Sequence, residues 1–481
     1  MSFTDLFAHA TLPLAIDSYQ RPYVWGTNKS AQLLIDLANY TAKDTSGLDY
    51  YMGTILLHRT KKHLFVIDGQ QRLTTLCLLH QVIKSSLPPN CALSYRSPES
   101  WRNIKGAAAL LSDENTRLPA PGIFEHISFT VIMVDSEDLA FTFFDTQNNR
   151  GVPLNATDLL KAYHLRAIHG QDGASLALQQ NCATRWERLQ GTPPLLGPGS
   201  DFAHSLFNLF LWRGRCWTGR FFGARPSHDD LISEFQLESF ESTSLDTIPL
   251  YSSRGNRRAS ALTLVPRDGY RLQAEEIHLS GNPAELPFAI RQPVTAGVGF
   301  FLYSEKYAAL AHQLIAANHE DSEVRAFQRF HRDVIADVSI YIRELFLLTS
   351  VMFVDQFGYR KLFEFALWLD YALGALRIEK AYIFKEAPLN FLKQPSRNLL
   401  DVITSAFRPE EAIDYLKSLP DPPKIYGSMN IERDGVQRRY EQSVLNYYRK
   451  SETLTKPRLA GRDSWIDARW ISANLRSEGL S

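Results

Sequence analysis

The stretch 64–79, LFVIDGQQRLTTLCLL, constrains the fold more than any other part of the chain. Its first four residues are apolar and partly β-branched, which predicts a short buried strand. From Leu73 onward the apolar residues recur at helical spacing. Only Asp68, Gly69 and residues 70–72 separate the two patterns. The sequence therefore predicts a strand that passes through an Asp-Gly turn directly into a helix.

Such a turn leaves the first N–H groups of the helix without intrahelical partners, and these groups attract anions. Gly69 permits close approach of a ligand to the backbone, and Arg72 adds a forked cation. We interpret the stretch as a phosphate-binding turn. The alternative is an ordinary turn with a solvated Arg72, because so short a motif also occurs by chance.

A second unusual stretch lies at residues 12–25, LPLAIDSYQRPYVW. A short extended segment leads into it, and Pro22 disfavours helical geometry at Arg21. The residues 19–25 are therefore expected on a loop, where aromatic rings can stack on a base while an arginine meets phosphate. The alternative is a hydrophobic lid that packs on the core.

The neighbouring segments predict the rest of a small sheet. Asn28 or Ser30 can cap a helix that follows the loop. Residues 50–57 predict a strand that forms a hairpin with strand 64–67 across a polar turn at 58–63. Residues 86–125 have weak periodicity and predict loops with a helix, and residues 127–134 predict another strand.

A third informative stretch, FDTQNNRGVPLNATDLLKAY, covers residues 144–163. Residues 148–151 predict a turn with a cation at its tip, and Gly151 suits a positive backbone angle there. Asn155 is placed to cap a helix, with Asp158 in the first turn and Lys161 one turn later. The alternative is a plain capped helix with solvated charges.

From about residue 175 long helical periodicities dominate, and a mainly α-helical second half is expected. They cover residues 202–212, 228–240, 300–317, 324–353 and 359–376, with an irregular insertion at about 246–295. We predict three regions, at 1–170, 171–330 and 331–481.

Basic and aromatic residues interleave in two stretches of the second half, around Arg213–Arg225 and Arg438–Trp470. This combination is used by nucleic-acid grooves and equally by protein interfaces and amphipathic helices. Since Lys plus Arg and Asp plus Glu both number 52, any DNA contact has to come from such local patches.

The sequence gives few indications of a bound cofactor or of a cellular compartment. The four cysteines lie far apart, which predicts neither a disulfide framework nor a structural zinc site. The N-terminus lacks a signal-peptide pattern, and the most apolar helical stretch, 345–354, is about half a membrane span. We therefore expect a soluble cytoplasmic protein without a membrane partner.

Taken together, YQRPYVW, VIDGQQRLTTL and FDTQNNRGVPLNATDLLK resemble the N-terminal domain of GmrSD-type restriction endonucleases, which belongs to the ParB/sulfiredoxin-like superfamily. The resemblance is clear over residues 12–170, and a weaker likeness continues at 286–310. It implies a small ParB-like α/β domain that binds and in several members hydrolyses a nucleoside triphosphate. With the helical periodicities of the second half, the expected fold class is α+β.

The resemblance and the residue chemistry together imply a set of site residues. The DGQQR signature supplies the catalytic candidates Asp68, Gln70, Gln71 and Arg72, with Asp68 also the candidate ligand of Mg²⁺. The family's FxxxNxRG and DLxK patterns are met by Phe144 to Gly151 and by Asp158 to Lys161. The expected nucleotide-binding residues are Tyr19, Gln20, Arg21, Tyr23, Trp25, Gly69, Thr74, Asn148, Arg150 and Lys161.

Family members defend bacteria against phage, so the expected function is a nucleotide-hydrolysing component of an anti-phage or modification-dependent restriction system. Many relatives carry a C-terminal HNH nuclease, which needs histidines. None of the 13 histidines lies after His331, which excludes an HNH site in that part of the chain. A separate nuclease or effector and DNA are thus the expected partners, and a homo-oligomer is compatible. Two alternatives stay open: a nuclease in its own right, and a non-enzymatic nucleotide-gated DNA clamp.

Overall fold

The computed structural model describes most of the chain in two compact units, Met1–Gly191 and Thr192–Ser481. The described residues are 1–17, 20, 22–42, 48–95, 97–136, 139, 155–168, 173–192, 202–219, 222, 226–241, 247–251, 262–265, 271–274, 276–315, 319–393, 398–431, 435–450 and 457–479. We refer to the two units as unit 1 and unit 2.

Unit 1 is built on a mixed five-stranded sheet. Its strands are β1 (Leu14–Ala15), β2 (Tyr50–Arg59), β3 (Leu64–Asp68), β4 (Cys91–Ala92) and β5 (Ile127–Val134), in the spatial order β4-β1-β3-β2-β5. β1 is parallel to both β3 and β4, whereas β2 is antiparallel to β3 and parallel to β5. The predicted hairpin and the predicted strand at 127–134 are confirmed.

Seven helices surround this sheet in the described part of unit 1. They are α1 (Phe3–Ala8), α2 (Thr27–Ala42), α3 (Gln70–Lys84), α4 (Pro98–Leu111), α5 (Ile123–His126), α6 (Ala156–Arg166) and α7 (Gly173–Gln190). α2 begins at Thr27, so Asn28 and Ser30 lie inside the helix and the predicted cap at these residues is wrong.

The core of unit 1 lies between the sheet and the helices that precede and follow β3. Leu64 and Val66 of β3 are buried in one cluster with Leu73 and Leu76 of α3. Because successive strand residues point to opposite faces, Phe65 faces away from this cluster. Phe65 therefore lies on the second face of the sheet.

Unit 2 is mostly helical in its described residues, which confirms the expected α+β class with a mainly helical second half. A π-helical segment, Leu206–Leu211, joins α8 (Phe202–Ser205) to α9 (Trp212–Cys216). A second π-helical segment, Ser233–Leu237, continues α10 (His228–Ile232). The remaining helices are α11 (Val298–Ile315), α12 (Ser322–Asp333), α13 (Ile340–Phe357), α14 (Leu362–Glu379), α15 (Glu386–Lys393), α16 (Leu399–Ser405), α17 (Pro409–Lys417), α18 (Asp421–Ser428), α19 (Val436–Tyr447) and α20 (Ala468–Gly479).

The single periodicity predicted over 324–353 is wrong, because it spans two helices. α12 buries one stripe that contains Val324, Phe327 and Phe330, whereas α13 is buried on nearly all sides. A 3₁₀ turn at Ile335–Asp337 separates them. Within the insertion, β6 (Leu262–Val265) and β7 (Arg271–Ala274) form an antiparallel pair, and a 3₁₀ turn covers Pro283–Glu285.

No helix in the described part of the chain is both long enough and apolar enough to cross a membrane.

Candidate functional site

The pairing of β1 with β3 brings two of the three sequence motifs together. Leu14 lies opposite Leu64 and Ala15 opposite Phe65 in a parallel register. The carboxyl ends of parallel strands meet at the same edge of a sheet. The loop after β1, which carries residues 20–25, therefore lies beside the turn at Asp68–Gly69 that follows β3.

The turn itself has the predicted form. Gly69 has φ +93° and is the N-cap residue of α3, where it supplies no side-chain cap. A Cβ atom at this position would lie 3.0 Å from Cγ1 of Ile55, so both the backbone angle and the close approach favour glycine. The side chain of Asp68, directly before it, is 42% exposed. Helix α3 thus begins with an uncapped N-terminus next to an accessible carboxylate.

Arg72 is directed at the backbone of β2. Its Nη1 donates to the carbonyl oxygen of Met52 at 2.7 Å, and its Nη2 donates to that of Thr54, also at 2.7 Å. These two carbonyls flank Gly53, where β2 changes register and φ is +96°. Nη2 also lies 3.3 Å from Oδ2 of Asp68. Arg72 therefore holds the irregular part of β2 and the Asp68 carboxylate in place.

The side chain of Gln71 likewise holds the backbone of the loop after β1 in place. Its Oε1 accepts hydrogen bonds from the main-chain N–H groups of Val24 and Trp25, and its Nε2 donates to the carbonyl oxygen of Pro22. Gln70, the remaining signature residue, is buried. Of the five DGQQR positions, only Asp68 and Arg72 are partly exposed, whereas Gly69, Gln70 and Gln71 are buried.

Tyr23 and Trp25, the aromatic residues of this loop that the structure describes, pack inward. Tyr23 is fully buried, its hydroxyl is hydrogen-bonded to Thr75 Oγ1, and its backbone is bound by Ser100 and Asn103. Trp25 is partly buried against the core. The ring of Tyr23 is therefore inaccessible to a base, because both of its faces lie in the interior. Tyr19 and Arg21 lie outside the described residues.

Lys161 links the third motif to the same loop. It is 1% exposed, and its Nζ lies 3.4 Å from the carbonyl oxygen of Gln20 and 3.4 Å from Oε1 of Glu187. Asn155 is the N-cap residue of α6, as predicted, although its side chain makes no capping hydrogen bond. Asn148 and Arg150, with the rest of the segment 140–154, lie outside the described residues.

Two residues that sequence reasoning missed also approach this region. Tyr95 donates to or accepts from Thr74 Oγ1 at 2.6 Å, and Glu187 of α7 faces Lys161. Tyr95 lies in a segment with weak periodicity and Glu187 in an ordinary amphipathic helix. No local pattern distinguishes either residue, because both reach the site through long-range packing.

Several residues of the basic and aromatic stretches of unit 2 lie in its interior, whereas Arg439, Arg449, Lys450 and Arg469 are exposed. Trp212 and Trp217 are buried, and Arg213 pairs at 2.9 Å with the buried Glu344. In the second stretch, Tyr440, Tyr448 and Arg462 are buried. These residues cannot contact DNA, because they are occupied within the core. Arg220 and Arg225 lie outside the described residues.

The donor set at the turn suits a magnesium ion bound mainly by phosphates. Within the described ranges, no group of three or more His, Cys, Asp or Glu side chains is arranged to hold a metal. Asp68 supplies a single accessible carboxylate, and Mg²⁺ in proteins is commonly held by one or two carboxylates together with substrate phosphates and water. The single carboxylate at this turn therefore fits a metal ion that is held mainly by phosphates.

Comparisons with known families divide the chain in two. Residues 3–165 match the N-terminal domain of the GmrSD restriction endonuclease, which confirms the resemblance read from the three motifs. Residues 178–431 match a family of unknown function, DUF7834. No curated protein matches the chain.

Proposed function

The chain belongs to the family of unknown function DUF7834 and begins with a GmrSD N-terminal domain, and from this premise we propose that unit 1 binds and hydrolyses a nucleoside triphosphate as part of a restriction system directed at foreign DNA. The restriction role rests on the description of the matched domain. The hydrolytic role rests on the turn at Asp68–Gly69 and its surroundings.

One observation carries the proposal: the uncapped N-terminus of α3 lies next to the exposed Asp68 carboxylate. The N–H groups of a first helical turn favour phosphate oxygens, and the helix dipole adds up to about 2 kcal/mol. This is too little for tight binding alone, so the loop after β1 has to contribute. Gln71 and Lys161 hold that loop against α3 and α6.

The proposed roles follow from the position and the contacts of each residue. The N–H groups after Gly69 bind phosphate oxygens, and Asp68 would hold a Mg²⁺ ion, which would supply charge neutralisation at the phosphates. Arg72 and Gln71 are positioning residues, since their side chains bind backbone groups. Gln70 stays a candidate for orienting the water.

In the proposed reaction, the oxygen of a water molecule attacks the γ-phosphorus. The bond from this phosphorus to the β,γ-bridging oxygen breaks, and the bridging oxygen takes the electron pair. The water loses a proton to solvent. The products are a nucleoside diphosphate and inorganic phosphate.

The test is phosphate release from each of the four nucleoside triphosphates with Mg²⁺, with and without DNA. Asp68→Asn is the diagnostic variant because it keeps the size of the side chain and removes its charge. We expect turnover to fall by at least about a hundredfold. Asp135→Asn is the matched control, since Asp135 is an exposed carboxylate that binds Arg59 at the opposite edge of the sheet. It is expected to keep full turnover.

Two results would overturn the hydrolytic proposal. Tight triphosphate binding with background turnover, with and without DNA, would favour a nucleotide-gated clamp. Mg²⁺-dependent nicking of DNA by the pure chain without nucleotide, lost in Asp68→Asn, would favour a nuclease. We further propose that a separate nuclease or effector cuts the DNA, so cleavage should require a second protein.

A further inference from the structure

A cleft of about 340 Å³ lies within unit 1, between α7 and the face of the sheet to which Phe65 points. Ile16, after β1, and Leu176, of α7, provide further apolar walls. Polar side chains line the rest, among them Gln20, Tyr95, Gln180 and Glu187. We call this site the α7 cleft.

The lining suits a flat heterocycle with hydrogen-bonding edges. A partly buried phenylalanine and two aliphatic side chains offer surface against which a ring can pack. The amide of Gln180 both donates and accepts, and a glutamate accepts from N–H or O–H groups. Small-molecule sites typically combine such an apolar surface with a few oriented polar groups.

Three contacts connect the α7 cleft with the turn at the start of α3. Gln20 lines the cleft, and its Nε2 donates at 3.1 Å to the carbonyl oxygen of Ile67, directly before Asp68. Tyr95 lines the cleft, and its hydroxyl bonds Thr74 of α3. Lys161 joins the Gln20 backbone to Glu187 on the cleft wall. The side chains of Gln20 and Tyr95 therefore contact both the cleft and the β3–α3 segment that carries the proposed phosphate site.

We propose that the α7 cleft holds the heterocyclic base and sugar of the nucleoside triphosphate whose phosphates bind at the N-terminus of α3. This inference rests on the proposed function for the identity of the ligand. Glu187, held by Lys161, accepts hydrogen bonds from N–H groups of the base or hydroxyls of the sugar, and Gln180 contributes to base preference.

The experiment compares binding of nucleosides, nucleoside triphosphates and inorganic tripolyphosphate to the full chain by calorimetry. Thr184→Trp fills the cleft from α7, because Thr184 is half-buried and lines it. Asn181→Trp places the same side chain on an exposed position of α7 outside the lining. We expect Thr184→Trp to weaken nucleoside and nucleoside triphosphate binding by at least about tenfold. Tripolyphosphate binding should be unchanged, as should all binding by Asn181→Trp.

Gln180→Ala keeps the test informative if Thr184→Trp does not fold, since Gln180 is exposed at the cleft. It should lower affinity for some bases more than for others. Unchanged nucleoside triphosphate affinity and base preference in Gln180→Ala and in folded Thr184→Trp would overturn the inference.

The two proposals fail differently. Wild-type hydrolysis that depends on Asp68 but is insensitive to both cleft variants overturns the cleft alone. Nucleoside binding that is blocked by Thr184→Trp, in a chain that does not hydrolyse triphosphates, supports the cleft and overturns the hydrolytic function.

Discussion

The side-chain oxygen of Gln71 lies 2.9 Å from the main-chain nitrogen of Val24, and it also accepts from Trp25 at 3.2 Å. The amide nitrogen of the same side chain donates to Pro22 at 3.0 Å. One buried glutamine thus satisfies three backbone groups of a loop that has no strand or helix to satisfy them. This explains why a motif residue on α3 is needed to shape a loop that follows β1.

Replacing the side chain of Gln71 should lower the free energy of unfolding of unit 1. Gln71→Leu leaves two N–H groups and one carbonyl without partners, and we expect a loss of about 2–4 kcal/mol in the free energy of unfolding. Gln71→Glu keeps the acceptor, but it buries a charge and turns a carboxylate oxygen toward the carbonyl oxygen of Pro22, so its loss should be at least as large. Urea unfolding measures both values. Equal stabilities of the two variants and wild type would show that the loop does not depend on this side chain.

Arg72 and Arg59 are predicted to respond very differently to replacement by alanine. Arg72→Ala removes two hydrogen bonds from a partly buried guanidinium to Met52 and Thr54, and it should cost about 2–4 kcal/mol. Arg59→Ala breaks an exposed ion pair with Asp135 and should cost less than about 1 kcal/mol. Urea unfolding of the two variants checks the contrast, which similar losses would contradict.

A loss of turnover in Arg72→Ala would therefore have two causes, a disturbed β2 and a missing cation. Asp68→Asn separates chemistry from folding more cleanly, because the Asp68 side chain is accessible and its replacement is isosteric.

The elements around Asp68 could be predicted because their signals are local. The apolar run at 64–67 and the helical spacing from Leu73 identify β3 and α3 without knowledge of their neighbours. The strand at 127–134 alternates clearly enough to be found at its observed bounds. The resemblance of the three motifs then supplied the identity of the domain.

The remaining features depend on long-range contacts. β1 and β4 contain two residues each and exist only because they pair in register with a neighbour. The hydrogen-bond partners of the Arg72 side chain depend on the irregularity at Gly53, which is a feature of the β2 backbone. Likewise, the alternation of arginine and tryptophan near Arg213 gives no indication that Glu344 lies opposite it in the core.

Cys91 is expected to be the most readily alkylated thiol of the described chain near neutral pH. Its Sγ lies 3.7 Å from that of Cys77, and the hydrogen bond from Cys77 lowers the pKa of Cys91 to about 7. Burial raises the pKa of Cys77 well above its ordinary value. The thiolate is the reactive form, so the rate for Cys91 should rise through a midpoint near pH 7.

Peptide mass spectrometry after brief treatment with iodoacetamide locates the modified residue. Cys77→Ala should shift the midpoint for Cys91 upward, because the thiolate loses its hydrogen-bond donor. An unchanged midpoint in that variant would show that the two thiols do not interact.

His331 should make unit 2 sensitive to mild acid. Burial, with a smaller contribution from Arg343, lowers the pKa of His331 to about 4 from its ordinary 6.5. Between these values the unfolded chain binds a proton that the folded chain does not, so stability falls as the pH falls, by up to about 1.4 kcal/mol per pH unit.

The check is urea unfolding at about pH 7 and about pH 5.5, where this effect should approach about 1 kcal/mol. His331→Gln does not titrate and should lose less stability than wild type between the two conditions. His9→Gln, at an exposed position, is the control and should behave as wild type. A loss in His331→Gln equal to that of wild type would contradict the assignment.

Arg462 and Asp370 form an ion pair in the interior of unit 2, with both side chains at most 1% exposed. Arg462 Nη1 also donates to the hydroxyls of Tyr426 and Tyr440, and Tyr440 donates to Asp370 at 2.9 Å.

Arg462→Met leaves a buried carboxylate with one donor, and we expect a loss of about 3–5 kcal/mol in the free energy of unfolding. Arg462→Met combined with Asp370→Leu removes both charges and should recover at least half of that loss. Because the pair is shielded from solvent, added salt should leave the difference between the single variant and wild type nearly unchanged. A salt-dependent loss would show that ions in solution screen the pair. A double variant less stable than the single one would mean that the hydrogen bonds to tyrosine rather than the charge pair hold this part of the core.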